Sequence, residues 1–102
     1  MKYQVIAQAQ AVADSEEIRA ELAVRDPEYA ERWITELDQL FEKLSVFPNR
    51  MPLAPESARS LHPVRQVLVG RYRVLFYVHG ATVQLTRLRH VARRPFKPGE
   101  LD

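Results

Sequence analysis

Residues 72–78, Tyr-Arg-Val-Leu-Phe-Tyr-Val, limit the possible folds more than any other stretch of this chain. Side chains alternate across a strand, so Tyr72, Val74, Phe76 and Val78 line one face and Arg73, Leu75 and Tyr77 the other. A run that is apolar on both faces belongs inside a sheet, with layers over both sides. Two more β-rich runs flank it, Val64–Val69 and Thr82–His90. Gly70-Arg71 and His79-Gly80-Ala81 separate the three runs and are short enough for hairpins.

The first half of the chain supplies the covering layer. Residues 3–7, Tyr-Gln-Val-Ile-Ala, read as a first strand. In Asp14-Ser15-Glu16-Glu17 the Asp can cap a helix while Glu17 reaches back, which predicts a helix starting there with Ala11, Ile18 and Leu22 on a thin apolar face. Asp26-Pro27 is a clearer start signal, because Asp satisfies orphan N–H groups and Pro loses nothing in the first turn. Ala30, Trp33, Ile34, Leu37, Leu40, Phe41 and Leu44 then recur at spacings of three and four, a full amphipathic stripe that Pro48 ends. Residues 48–63 hold four of the seven prolines and read as an irregular loop. The tail, residues 91–102, carries Pro95, Pro98 and Gly99 and is expected to be loosely held. The predicted order is β-α-α-β-β-β, an α+β fold in which a helical hairpin packs on a mostly antiparallel four-stranded sheet. A chain of 102 residues is one domain, 1–102.

Composition narrows the chemistry. With no cysteine there is no disulfide, thiolate zinc site or cysteine nucleophile. The N-terminus lacks a continuous apolar segment of the secretory kind, and no run is long enough to span a membrane, so a cytoplasmic protein is expected. The formal net charge of +2 hides an asymmetry. Residues 1–49 carry five Lys/Arg against ten Asp/Glu, and residues 50–102 ten against three. A basic surface built by the second half would suit phosphates or an acidic protein partner.

Residues 64–78, Val-Arg-Gln-Val-Leu-Val-Gly-Arg-Tyr-Arg-Val-Leu-Phe-Tyr-Val, followed by Val83–Pro95, resemble the RelE/ParE toxin superfamily. The features that carry the likeness are Arg65, Gly70, the Tyr72-Arg73-aliphatic-aromatic strand, and a last strand ending in His90 with Arg93 beyond it. Residues 26–33 and 40–50 agree more weakly. The resemblance implies a bacterial type II toxin of the plasmid-stabilisation type, neutralised by a cognate antitoxin that wraps it. RelE-like members cut mRNA on the ribosome, and ParE-like members poison DNA gyrase without hydrolytic chemistry. An inactive or repurposed binding domain of the same fold is a third possibility. Fold alone does not choose among them; mRNA cleavage is the first expectation, with gyrase inhibition as the alternative.

For ribosome-dependent, metal-free mRNA cleavage the catalytic candidates are Arg73, His90 and Glu56. The resemblance places a functional arginine at Arg73, where a guanidinium would stabilise phosphorane charge. An unperturbed histidine titrates near pH 6.5, which suits His90 to proton transfer, but Val91 stands where nuclease relatives keep an adjacent Tyr. Glu56 takes the place of a loop general base in those members. The structural alternatives are an Arg73 paired with a Glu, a His90 that is only hydrogen-bonded, and a solvated Glu56. Arg65, Arg71, Arg87, Arg89, Arg93 and Arg94 are the candidates for contacting nucleic acid or a partner. Trp33 belongs in the core, and His62 and His79 lack metal-like spacing; no cofactor is expected.

Overall fold

The computed structural model describes residues 2–101. Strand β1 (Gln4–Ala7) leads into helix α1 (Ala9–Arg25) and helix α2 (Pro27–Val46). Two 3₁₀ turns, Pro48–Arg50 and Pro55–Arg59, precede β2 (Arg65–Val69), β3 (Tyr72–His79) and β4 (Thr82–His90). The sheet order is β1-β4-β3-β2, with β1 parallel to β4 and the other pairs antiparallel. The predicted α+β order and the mostly antiparallel sheet are therefore observed.

Helix α2 forms for the reasons its sequence supplies. Asp26 accepts the Tyr29 N–H at 3.1 Å and Pro27 fills the first turn. Trp33, Leu37, Leu40 and Leu44 are buried in one core with Val74, Phe76, Val83 and Leu85 of the sheet, and Ala30 on the same helix is also buried. Helix α1 starts at Ala9, five residues before the expected cap, and its N-terminus has no side-chain cap. Asp14 lies inside this helix and serves the sheet instead. β1 reaches only as far as Leu85, which leaves the outer edge of β4 unpaired beyond it. Asp14 accepts the Leu88 N–H at 2.9 Å and pairs with Arg87 at 2.8 Å, closing that edge with a side chain.

The pairing of β3 with β4 shifts register between Leu75 and Phe76, leaving Thr86 as an extra residue that donates its hydroxyl to Leu75 O at 3.2 Å. This bulge changes which residues face the helices. Val83 and Leu85 face them before it, and Leu88 faces them after it. Arg87 and Arg89 are thereby turned to the opposite face, where both guanidinium groups lie over Phe96.

That opposite face has its own small core of Ala54, Val64, Leu75 and Phe96. The proline-rich loop is tied to the rim of β2: Gln66 N–H donates to Pro52 O, and Ala54 N–H to Val64 O. The tail is not loosely held. Its prolines prevent regular structure, but Phe96 is only 6% exposed and anchors it.

The turn between β2 and β3 needs glycine. Gly70 has φ +59°, and a Cβ there would lie 2.7 Å from Tyr29 Oη and 3.3 Å from Trp33 Cδ1. Trp33 also donates its indole N–H to Val69 O at 3.0 Å, locking α2 to this turn. Gly70→Ala is expected to cost about 1–2 kcal/mol from the left-handed backbone alone. Urea unfolding checks this, and an unchanged midpoint would contradict it.

Candidate functional site

The structure brings two of the three catalytic candidates together and separates the third. On the face covered by loop and tail, Arg73 Nη1 donates to Glu56 Oε1 at 3.0 Å and Nη2 to Oε2 at 2.8 Å. Gln66 Oε1 accepts a third hydrogen bond from Arg73 at 2.9 Å. Glu56 Oε2 also accepts the Phe96 N–H at 2.9 Å. The side chains of Arg73 and Glu56 are 9% and 1% exposed, so the pair is buried. Burial by itself would raise the Glu56 pKa, but the Arg73 hydrogen bonds and the Phe96 N–H outweigh it and hold the carboxyl below its ordinary range. A carboxylate stabilised in this way is a weak base, and a guanidinium already bonded on both arms has little left for a phosphate.

His90 is on the helix face. It stands directly across from Tyr72 in the β3–β4 register, and the two rings meet edge to face with centroids 5.1 Å apart. Tyr72 meets Trp33 in the same manner at 5.5 Å. The aromatic neighbour missing from position 91 is thus supplied by the adjacent strand. His90 Nδ1 accepts the Ala92 N–H at 3.0 Å, which leaves the proton of the neutral ring on Nε2. Arg73 and His90 lie on opposite sides of the sheet.

Of the six arginines expected on a basic surface, four bond to other groups of this chain, Arg94 while remaining exposed. Arg65 donates to Met51 O at 2.6 Å. Arg87 binds Asp14 and donates to Glu100 O at 3.1 Å. Arg89 is buried, donates to Arg94 O at 3.0 Å and lies 3.6 Å from Glu100 Oε2. Arg94 contacts Glu100 at 3.1 Å. Arg71 and Arg93 are exposed, without a salt bridge among the described residues. Much of the positive excess of the second half therefore fastens its own loop and tail.

Glu100 organises the end of that tail. The backbone N–H of Lys97 and the Arg94 guanidinium together push its pKa down to about 2. Both Glu56 and Glu100 thus have folded values below the unfolded carboxylate value of about 4.3. Their contribution is complete above that value and is lost as pH falls through the folded values. The amide NMR signals of Phe96 and Lys97 are expected to stay constant through the ordinary carboxylate range and to shift only as pH falls below it. A midpoint at or above the ordinary carboxylate range would contradict these contacts.

Sequence reasoning missed a groove of about 680 Å3 between α1 and the end of β4. Ile18, Leu22, Leu88, Tyr72 and His90 are among its lining residues. Its signal was present in the period-breaking spacing of Val83, Leu85 and Leu88, which marks the bulge that turns His90 toward the helices. Among the described residues no cluster of His, Asp or Glu could hold a metal ion, and no helix is long and apolar enough to cross a membrane.

This fold is shared with chains of known toxin–antitoxin systems. One, from the chromosomal ParDE system of P. aeruginosa, is 22% identical, with a TM-score of 0.69 over 87% of this chain and 96% of that one. Another, from the RelBE2 toxin–antitoxin complex of Mycobacterium tuberculosis, is 24% identical, with a TM-score of 0.55 over 88% of this chain and 99% of that one. No curated protein sequence is similar enough to count as a match. The family described as ParE toxin of the type II toxin–antitoxin system parDE matches residues 5–95, and the chain belongs to it.

Proposed function

We propose that this toxin arrests growth by binding DNA gyrase, without cutting RNA, and that a cognate antitoxin holds it in check. The observation that carries this reading is the buried, mutually saturated pair of Arg73 and Glu56, with His90 on the other side of the sheet. Cleavage of RNA needs a base for the 2′-OH, a charge stabiliser and an acid within reach of one phosphate. These three side chains do not surround one such space. Membership in the ParE family agrees with a target that is bound rather than hydrolysed. Three of the six arginines expected to contact nucleic acid or a partner, Arg65, Arg87 and Arg89, are engaged within the protein.

Purified full-length toxin, mixed with gyrase, ATP and supercoiled plasmid, tests the proposal. Protein-linked, cleaved plasmid that appears only when gyrase is present is the expected result. Intact plasmid and full supercoiling activity at saturating toxin would defeat it. Cleavage of ribosome-bound mRNA in a parallel reaction would move Arg73, Glu56 and His90 back to catalysis, with Glu56 released from Arg73 when RNA binds.

A further inference from the structure

The proline-rich loop ends in a feature that the buried ion pair does not require. Leu61 is fully exposed, more so than any other large apolar side chain among the described residues. The loop on either side of it is fastened. Glu56, fixed by Arg73, accepts the Ser60 hydroxyl on its backbone oxygen at 3.0 Å, and Ser57 Oγ accepts the Val64 N–H at 2.9 Å. His62 lies flat on Tyr77, with ring centroids 4.0 Å apart and 19° between the planes. Leu61 therefore projects from a shaped loop. Beside it, on the sheet face away from the helices, opens a cavity of about 230 Å3 that Gln8, Tyr77 and Leu101 also line. None of its lining residues is Asp, Glu, Lys or Arg, in a chain where those types make up 27%. The Tyr77 hydroxyl receives a 3.5 Å contact from Gln8 Nε2 and donates to nothing among the described residues.

A second, smaller cleft of about 60 Å3 shares Ser60, Leu61 and Leu101 with this cavity. Of the charged side chains along it, Glu56 is buried and saturated by Arg73, which leaves the exposed Arg59 and Lys97 to set its sign. Together the two make an uncharged pocket with a basic margin. We propose that this cleft seats a segment of the target protein, with a large apolar side chain in the cavity against Leu61 and an acidic residue over Arg59 and Lys97. The proposal rests on the reading that the toxin binds gyrase, and it names the surface that does so. About 230 Å3 is below the roughly 300–1,000 Å3 of sites that enclose a small molecule, so a single side chain is the fitting occupant. Nucleic acid is the poorer fit, since phosphate contacts dominate its affinity and no Lys or Arg lines the cavity. An exposed apolar anchor on a loop already in shape loses little freedom on binding, which favours a protein contact centred there. The basic margin would then fix the direction in which the segment runs.

The experiment measures binding of full-length toxin to purified gyrase by surface plasmon resonance. Leu61→Asp is expected to weaken binding about tenfold or more, and Arg59→Glu with Lys97→Glu about tenfold. Val24→Asp, at a comparably exposed apolar position on α1, should leave gyrase affinity unchanged. Hydrogen exchange of the wild-type complex should show new protection over residues 59–62, a readout that does not depend on the variants folding. Wild-type affinity in either altered cleft, equal weakening by Val24→Asp, or no protection there overturns the proposal while leaving gyrase binding intact. Antitoxin binding lost in Leu61→Asp with gyrase binding retained would assign the cleft to the antitoxin and also overturn it. A single-stranded RNA oligonucleotide bound by the wild type and released by Leu61→Asp would assign it to nucleic acid, with the same consequence. A wild-type toxin that does not bind gyrase would instead overturn the reading on which the proposal rests.

Discussion

Replacing Glu56 with alanine is expected to destabilise the fold by about 3–5 kcal/mol, because it strands the buried Arg73 charge. The Phe96 N–H would lose its acceptor in the same step. For a domain of this size the melting temperature should fall by more than about 10 °C. The informative comparison is Glu56→Gln together with Arg73→Met. This pair removes both charges, keeps an amide oxygen for the Phe96 N–H and leaves an apolar chain beside Leu75. Stability close to wild type is expected, since a buried ion pair often contributes no more than well-packed neutral residues. Such a protein should still be toxic if the pair serves only the structure. A stable but non-toxic double variant would give Arg73 or Glu56 a direct functional role.

Phe96→Ala is the second large expected effect, a loss of about 3–5 kcal/mol. Phe96 closes the small core with Ala54, Val64 and Leu75, and its ring lies 3.6 Å from the Arg89 guanidinium and 4.7 Å from that of Arg87. Each such contact adds about 0.5–2 kcal/mol, depending on burial. Removing the ring opens a cavity beneath two arginines and frees the tail that carries Glu100. Chemical denaturation with tryptophan fluorescence measures the loss through Trp33. A tail without structural weight would give a change within about 0.5 kcal/mol, as surface substitutions do.

The parts of this fold legible in the sequence are those where local pattern and burial agree. The α2 stripe, the Asp26-Pro27 start and the two-sided apolar strand β3 each state one structure only. The start of α1 was obscured because Gln8 offers no side-chain cap and Ala9-Gln10-Ala11 enters the helix on propensity alone. Asp14 resembled a cap because its chemistry is the same: a carboxylate seeking backbone N–H groups, satisfied here by the edge of β4. The candidate site was legible as residues but not as geometry. Arg73 and Glu56 are joined through a loop whose fold no periodicity reveals. Whether His90 shares their face is decided by one extra residue at Thr86. Phe96, isolated among prolines, gave no periodic signal of the core it completes.

The most direct test of a toxin that binds rather than cuts is to induce this chain alone in bacteria and map mRNA 5′ ends within minutes, alongside a DNA-damage reporter. Growth arrest with intact messages and an induced damage response is the predicted result, and His90→Ala should not change it. New 5′ ends inside translated codons, abolished by His90→Ala or by the Glu56→Gln/Arg73→Met pair, would contradict the account.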